Sequence, residues 1–214
     1  MIAFYGGGFD PVHKGHLRAA QAVLDLFPLA EINFLLTALP THKKLSERGI
    51  VHRWNMLSAA LEPQAQMFAD NSEIENPNVP SLSFNTLTQV RAKIGVAKPL
   101  LWLMGSDQLA VLDQWYKGLE LLSLAHLIVF SRPDQVPLTT DMQSYVDLHE
   151  TQNKDTLALE ACGRIFFIPT PMLDISSTAI RNSLSQQQSV KQLLPKSVWS
   201  YIMDKQIYQP GDVE

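Results

Sequence analysis

Two histidines near the amino terminus are the residues whose type and spacing best support chemistry. His13 and His16 end the run Gly-Gly-Gly-Phe-Asp-Pro-Val-His-Lys-Gly-His of residues 6–16. Glycine lets the main chain pass close to a ligand and present its amide N–H groups. Side chains three residues apart share one face of a helical turn. We therefore interpret the segment as an anion site, with His13 and His16 as candidate catalytic groups.

The elements that position these histidines are a short strand and an amphipathic helix. Residues 2–5 form an apolar strand, and the three glycines predict the turn that follows. After His16, apolar residues recur at helical spacing up to Phe27, and Pro28 closes the helix. The amino terminus of a helix carries partial positive charge, so this junction favours an anion.

Two better-known phosphate loops do not fit this segment. Gly6 and Gly8 begin a G-x-G-x-x-G pattern, but Pro11 occupies the place of its last glycine, and no Gly-Lys-Ser/Thr follows. Simpler interpretations are a glycine-rich turn with surface histidines, or half of a metal site that lacks further ligands nearby. The run also resembles the signature of the H-x-G-H nucleotidyltransferases. That resemblance implies a nucleoside triphosphate over the turn, bound by Gly6, Gly7, Gly8, Phe9 and His16.

Composition sets the class of protein. The chain has 214 residues, 46% of them hydrophobic, which is enough for one domain spanning residues 1–214. A net charge of −4 without a long basic run argues against a nucleic-acid partner. The single cysteine, Cys162, fits a reducing cytoplasm. No signal peptide is visible and the apolar runs are too short for a membrane span, so we expect a cytoplasmic protein of undetermined oligomeric state.

Strands and helices alternate along the chain. This pattern predicts an α/β fold, a Rossmann-like doubly wound parallel sheet with helices on both faces, and a small C-terminal helical part at about residues 176–208. Residues 134–160 are polar and without strong periodicity, so we interpret them as a surface insertion with room for a short helix. The predicted strands are residues 2–5, 32–36, 67–69, 100–104, 126–131 and 164–168, and the main helices 17–27, 50–61 and 83–94.

Two segments are candidates for binding a second substrate. His42 and Lys43 follow the strand at residues 32–36, at the sheet edge where ligands sit, although a solvated basic turn is the alternative. They resemble the family's P-P-H-K/R loop, which implies contact with phosphate. Ser83 is a candidate N-cap for the next helix. Its segment resembles the family's P-S-Y-T, with Leu82 and Ser83 in place of tyrosine and threonine, and this implies contact with the second substrate.

Two further strands are followed by candidate groups. Asp107 can accept hydrogen bonds from a ribose or cap a helix, and it resembles the aspartate of the family's G-x-D. Trp115 and Tyr116 alone would be read as a packed pair. Their place after Asp107 resembles the pyridine-binding pair of nicotinate mononucleotide adenylyltransferases, which implies stacking on nicotinate. Arg132 either pairs with a carboxylate or, by resemblance to the family's R-P, lies near adenine and ribose.

A second signature lies near the carboxyl terminus. Ser176, Ser177 and Thr178 put three hydroxyls at a helix start, and Arg181 lies one turn further on, ~5.4 Å along the axis. Ordinary capping with a surface arginine is the simple interpretation. The run I-S-S-T-x-I-R resembles the second signature of the adenylyltransferases, which implies that these four residues bind ATP and that Arg181 is catalytic. Ser177, Thr178 and Arg181 would hold the β- and γ-phosphates.

Taken together, the resemblance implies a bacterial nicotinate mononucleotide adenylyltransferase, a nucleotidyltransferase of NAD biosynthesis (EC 2.7.7 type). The implied partners are ATP and nicotinate mononucleotide, and the products are deamido-NAD and pyrophosphate. Mg²⁺ is expected to arrive with ATP rather than in a protein cage. Three alternatives stay open: an acceptor such as nicotinamide mononucleotide or phosphopantetheine, a non-catalytic nucleotide-binding regulator, and a metal-dependent hydrolase using the two histidines.

Overall fold

The apolar runs of the sequence form one parallel sheet in a computed structural model that describes residues 1–28, 30–38, 47–75, 80–130, 137–169 and 175–210. Within those residues the sheet has six strands in the order β3-β2-β1-β4-β5-β6, and every pairing is parallel. The strands are β1 Ile2–Gly7, β2 Glu31–Leu36, β3 Met67–Asp70, β4 Leu100–Gly105, β5 His126–Phe130 and β6 Ile165–Ile168.

Helices cover both faces of the sheet. The sequence of β4 is continuously apolar because both of its faces are buried. Leu101 and Leu103 belong to one buried cluster, and Trp102 and Met104 belong to the other. The predicted doubly wound fold is therefore confirmed. The helices are α1 Lys14–Leu26, α2 Glu47–Leu61, α3 Ser83–Ile94, α4 Ser106–Leu109, α5 Thr140–His149, α6 Lys154–Leu159, α7 Ser177–Ser185 and α8 Lys196–Lys205, with 3₁₀ turns at Leu112–Gln114, Leu119–Ser123 and Lys191–Leu193.

The order of the strands reverses beside β1. The chain proceeds from β1 outward to β3 and then returns to place β4 on the other side of β1. In parallel sheets, ligands bind in the crevice at the carboxyl ends of the strands where this reversal occurs. The register of β1 with β4 ends at Tyr5↔Leu103, whereas the register with β2 continues to Gly7↔Leu36. The last two residues of β1 therefore lie past the end of its pairing with β4.

The segment predicted as a surface insertion with a short helix carries two helices in its described part. Over the described residues from 137 onward, α5 and α6 make the crossover between β5 and β6, and Met142, Val146 and Leu157 are buried. Glu150 forms an isolated parallel bridge with Ile165 at the start of β6. The helical content is greater than predicted because a few apolar residues at helical spacing in a polar background are enough to bury one face of a short helix.

Smaller differences concern where elements begin. α2 starts at Glu47 rather than at residue 50. The N-cap of α3 is Leu82, without a side-chain hydrogen bond, so Ser83 is the first helical residue and not the predicted N-cap. Among the described residues, no helix is both long and apolar enough to cross a membrane.

Candidate active site

The connection between β1 and α1 is fixed by buried side chains on both sides of Asp10. Phe9 has a positive φ of 45°, and its ring, 2% exposed, packs edge-on against Tyr5 and His16 at centroid distances of 5.7 and 5.1 Å. Val12 is fully buried, and the Asp10–Pro11 peptide bond is cis. Because the ring of Phe9 lies in the core, contact between Phe9 and a nucleotide would come from its backbone.

The two histidines form a stacked pair at the start of α1. His13 is the N-cap and is 5% exposed, and its backbone N–H donates to Nδ1 of His16 at 3.2 Å. The rings lie 3.7 Å apart with an interplanar angle of 25°. Because Nδ1 of His16 accepts a hydrogen bond, the neutral ring carries its proton on Nε2. His16 therefore offers an N–H donor, next to a helix amino terminus whose first turn contains no acidic residue.

The glycines of this segment serve different purposes. A Cβ on Gly6 would lie 2.7 Å from the indole of Trp102, and one on Gly7 would lie 3.0 Å from the ring of Phe9. A Cβ on Gly15 would lie 2.9 Å from Nδ1 of His13. Gly8 has no heavy atom within 4 Å of its Cβ position. The predicted three-glycine turn is therefore wrong for Gly6 and Gly7, which end β1 and whose hydrogens make room for aromatic rings.

The second signature contacts the first directly. Ser176 caps α7 by accepting from the N–H of Ala179 at 3.1 Å. The hydroxyl of Ser177 donates to the carbonyl of Pro11 at 3.0 Å, across 166 positions of sequence.

Arg181 makes the second link between the signatures. Its Nη1 donates to the carbonyl oxygen of Asp10 at 2.7 Å and lies 3.7 Å from Oδ2 of the same residue. Its Nη2 donates to Oγ1 of Thr178 at 3.4 Å. Arg181 thus reaches the turn that precedes His13 and His16, on the same side of the molecule.

Two residues at this turn were missed by sequence reasoning. Arg53 is fully buried, and its Nη1 donates to the carbonyls of Gly8 and Thr37 at 2.9 and 2.8 Å. Burial lowers the pKa of Arg53, and the charge of Asp10 opposes that shift. The hydroxyl of Tyr208 donates to Oδ1 of Asp10 at 2.6 Å.

A signal for Arg53 exists in the sequence. Met56, Leu57 and Ala60 are buried on α2 and follow Arg53 at helical spacing, so a charge occupies their apolar stripe. For Tyr208 there is no comparable signal, because its partner lies 198 residues away.

Asp107 lies at the neighbouring strand end. It is in the first turn of α4, directly after Gly105 ends β4, and its Oδ2 accepts from Nε2 of Gln108 at 3.2 Å. Because β4 is adjacent to β1, Asp107 lies on the same edge of the sheet as the histidine turn.

Tyr116 and the start of α3 come together beside this edge. Tyr116 is 54% exposed, and its ring lies edge-on to that of Phe84, next to Ser83, with centroids 6.3 Å apart. The ammonium of Lys117 lies 4.6 Å from the centroid of Phe84. Trp115 is half-buried against the core cluster on this face. A flat ligand would thus meet aromatic groups from two elements.

The turn that carries these aromatic residues requires glycine at its end. A Cβ on Gly118 would lie 1.8 Å from the carbonyl oxygen of Leu112, which no rearrangement of a flexible side chain could relieve. The N–H of Gly118 also donates to the carbonyl of Trp115 at 3.0 Å. Sequence reasoning did not identify Gly118, Lys117 or Phe84.

Three predicted site residues, His42, Lys43 and Arg132, lie outside the described residues. For the other predicted residues, the structure gives positions, and their roles toward ligands stay predictions. In the described ranges, no group of three or more His, Cys, Asp or Glu side chains is arranged to hold a metal ion.

Comparison with known protein sequences identifies the family to which this chain is similar. A family model described as cytidylyltransferase-like matches residues 4–183. The chain is 34% identical over 212 residues to a Shigella boydii protein named "Probable nicotinate-nucleotide adenylyltransferase", covering 98% of this chain and 99% of that one. A Pectobacterium atrosepticum protein of the same name is 33% identical over 211 residues, with the same coverage.

A solved structure has the same fold. Plasmodium falciparum nicotinic acid mononucleotide adenylyltransferase complexed with NaAD superposes with a TM-score of 0.75 at 19% identity, covering 97% of this chain and 96% of that one. With the two signatures in contact at the carboxyl edge of a parallel sheet and relatives matched over nearly their whole length, the chain belongs to the cytidylyltransferase-like family and, within it, to the nicotinate-nucleotide adenylyltransferases.

Proposed function

We propose that this chain transfers AMP from ATP to nicotinate mononucleotide, giving nicotinate adenine dinucleotide (deamido-NAD) and pyrophosphate in NAD biosynthesis. The observation that carries the proposal is the contact between the signatures, in which Ser177 and Arg181 bind the carbonyls of Pro11 and Asp10. The contact brings the hydroxyl-rich start of α7 to the histidine turn of α1. The relatives and the similar solved structure are named for the same reaction, which supports the proposal.

The chemistry needs no covalent intermediate with the protein. A phosphate oxygen of nicotinate mononucleotide attacks the α-phosphorus of ATP in line. A bond forms between them while the bond from the α-phosphorus to the bridging oxygen breaks, and pyrophosphate leaves with that electron pair. The nucleophile is already ionised, so catalysis consists of alignment and charge stabilisation.

His16 is the group best suited to stabilise the charge that develops. Its Nδ1 accepts from the backbone of His13, so its Nε2 carries the proton that would be donated to a phosphate oxygen. The stacked ring of His13 limits the rotation of His16. The amino terminus of α1 adds partial positive charge, and the backbone at Gly8, where no atom crowds the Cβ position, can be approached closely by the triphosphate.

The start of α7 supplies donors for the leaving group. Arg181 carries a planar guanidinium whose fork matches phosphate oxygens, and Thr178 lies within 3.4 Å of it. We assign Ser176, Ser177, Thr178 and Arg181 to the β- and γ-phosphates. Mg²⁺ would enter bound to ATP as part of that substrate, since it retains waters and prefers phosphate oxygens.

The acceptor site is the cluster of Trp115, Tyr116 and Phe84. A nicotinate ring is flat and aromatic, and offset or edge-on packing against such side chains suits it. Asp107, at the end of β4, is assigned to a ribose hydroxyl of the nucleotide.

We also propose a cytoplasmic location, which the lone Cys162 supports.

The proposal is tested by measuring pyrophosphate release with ATP and each of three acceptors: nicotinate mononucleotide, nicotinamide mononucleotide and phosphopantetheine. We expect turnover with nicotinate mononucleotide and identification of the dinucleotide by mass. Preference for either other acceptor would replace the substrate assignment. Binding of ATP without pyrophosphate release from any acceptor would favour a regulator and overturn the proposal.

A further inference from the structure

We infer that Tyr208, in the C-terminal tail, is a positioning residue for the adenylyl transfer: its hydroxyl holds Asp10, and through Asp10 the turn that carries His13 and His16. The inference rests on the proposed function for its kinetic consequence. Its structural part concerns the protein alone and can be tested without turnover.

Asp10 and the turn around it are held from three distant parts of the chain. The hydroxyl of Tyr208 donates to Oδ1 at 2.6 Å, while Nη1 of Arg181 in α7 lies 3.7 Å from Oδ2 and donates to the main-chain oxygen at 2.7 Å. Buried Arg53 in α2 binds the carbonyl of Gly8, two residues before Asp10, and its charge acts on both Asp10 and Tyr208. The carboxylate is therefore held from the tail and from α7, and the turn from α2.

The hydrogen bond from Tyr208 to Asp10 is a strong one. A hydroxyl that donates to a carboxylate forms a charge-assisted hydrogen bond, which is shorter and stronger than a neutral one. Burial, followed by the charge of Asp10, raises the pKa of Tyr208 above its ordinary value. The phenol thus keeps its proton and remains a hydrogen-bond donor to Asp10.

The backbone on both sides of this bond is constrained. Phe9, directly before Asp10, has a φ of 45°, and Tyr208 has a φ of 64°. Gln206, which ends α8, also lies in the left-handed region with a φ of 52°, and there the chain turns back toward the sheet. Such conformations are costly for residues other than glycine and persist where the surroundings hold them. The contact with Asp10 is one such restraint for the tail.

A displacement of Asp10 would be transmitted to the histidines. Phe9 precedes Asp10 and packs its ring against His16 at 5.1 Å, and Pro11 follows it and is held by Ser177. A small shift of the turn would therefore rotate the imidazole that faces the triphosphate. Because misalignment affects the transition state more than binding, the loss should lie mainly in kcat.

The test compares Tyr208→Phe with Tyr201→Phe, a matched control. Each variant removes one hydroxyl, but that of Tyr201 in α8 contacts His52 and Asn55 of α2 at 3.0 and 2.9 Å. For Tyr208→Phe we expect kcat/KM to fall about tenfold (about 1.4 kcal/mol), mostly through kcat. For Tyr201→Phe we expect both constants within about twofold of the wild type, since its hydroxyl binds side chains of α2 and not Asp10.

Imidazole NMR signals give a readout that does not depend on turnover. Tyr208→Phe should shift the signals of His13 and His16, and Tyr201→Phe should shift that of His52. Unchanged His13 and His16 signals in Tyr208→Phe would overturn the inference, even if kcat falls. Should the wild type lack transferase activity, the proposed function fails, while this spectrum still decides whether Tyr208 positions the turn.

A double-mutant cycle distinguishes an effect that acts through Asp10 from a general loss of structure. Asp10→Ala removes the acceptor, so adding Tyr208→Phe to it should change kcat less than about twofold if the hydroxyl acts through Asp10. Additive losses in kcat would overturn the inference. Thermal unfolding of each variant shows whether the folded protein is being compared.

Discussion

The substitution Gly15→Ala should separate stability from activity in this protein. Gly15 lies in the first turn of α1, where alanine is the better helix former. Its added Cβ would lie 2.9 Å from Nδ1 and 3.0 Å from Cε1 of His13. The ring of His13 is 5% exposed and stacked 3.7 Å from that of His16, so it cannot move without disturbing its neighbour.

The size of each effect follows from these contacts. Replacing a helical glycine by alanine stabilises by about 1 kcal/mol, and moving a buried ring by a few tenths of an ångström costs about 1–3 kcal/mol. The two effects partly offset, so the free energy of unfolding should change by no more than about 2 kcal/mol. Alignment is less tolerant: a displacement of about 1 Å can cost 10²-fold in rate, so for a shift of a few tenths of an ångström we expect kcat to fall roughly tenfold.

The assay is pyrophosphate release at saturating ATP and nicotinate mononucleotide, paired with urea unfolding of the same preparations. Arg18→Ala is the control, because Arg18 is exposed on the same helix and its replacement also raises helix propensity. The control should retain the wild-type kcat. If Gly15→Ala kept kcat within about threefold of the wild type, the position of His13 would not govern that of His16, and the reasoning would be refuted.

Four further predictions concern single residues. His16→Ala should lower kcat roughly 10²-fold or more, because a preorganised donor is lost, and near-normal pyrophosphate release would remove His16 from the mechanism. Arg53→Met should lower the free energy of unfolding by about 3 kcal/mol, since it leaves two carbonyls without their charged donor; a urea transition shifted by less than about 1 kcal/mol would contradict this role. Burial lowers the pKa of His126, so below about pH 6.5 the unfolded chain takes up a proton that the folded protein resists, and the free energy of unfolding should fall as the pH falls. His126→Gln should flatten that dependence in urea titrations between about pH 8 and pH 5, and an equally steep profile would assign it to other groups. Gly118→Ala should raise the KM for nicotinate mononucleotide more than that for ATP, because its Cβ would lie 1.8 Å from a carbonyl oxygen in the acceptor turn; an equal rise in both would argue against a specific acceptor site.

Much of the architecture could be predicted because it depends on local patterns. The parallel strands are buried on both faces and therefore read as continuous apolar runs, as in β4. The crossover after β5 was missed, because Met142 and Val146 are too few to stand out in a polar segment. Ser83 was misplaced by one position, since a serine near a helix start resembles a cap whether it is N-cap or first residue.

Some candidate site residues could be recognised from local sequence, and others could not. His13, His16 and the start of α7 stand in contiguous motifs, so their types and spacing could be recognised without coordinates. Gly6 was attributed to the ligand turn, whereas the indole of Trp102, a neighbour through strand pairing, explains the need for glycine there. Lone residues whose partners come from elsewhere in the chain carry no such motif.

The sequence by itself determined the alternation of strands and helices and the two signatures, because each of these is encoded within about 15 consecutive residues. Anion binding at the turn before α1 stays a prediction. Only the tertiary structure decided that Arg53, Arg181 and Tyr208 converge on the turn around Asp10. Hydrogen bonds depend on distances of a few ångströms between atoms, and residues 171 and 198 positions apart acquire those distances only when the sheet and its helices have packed.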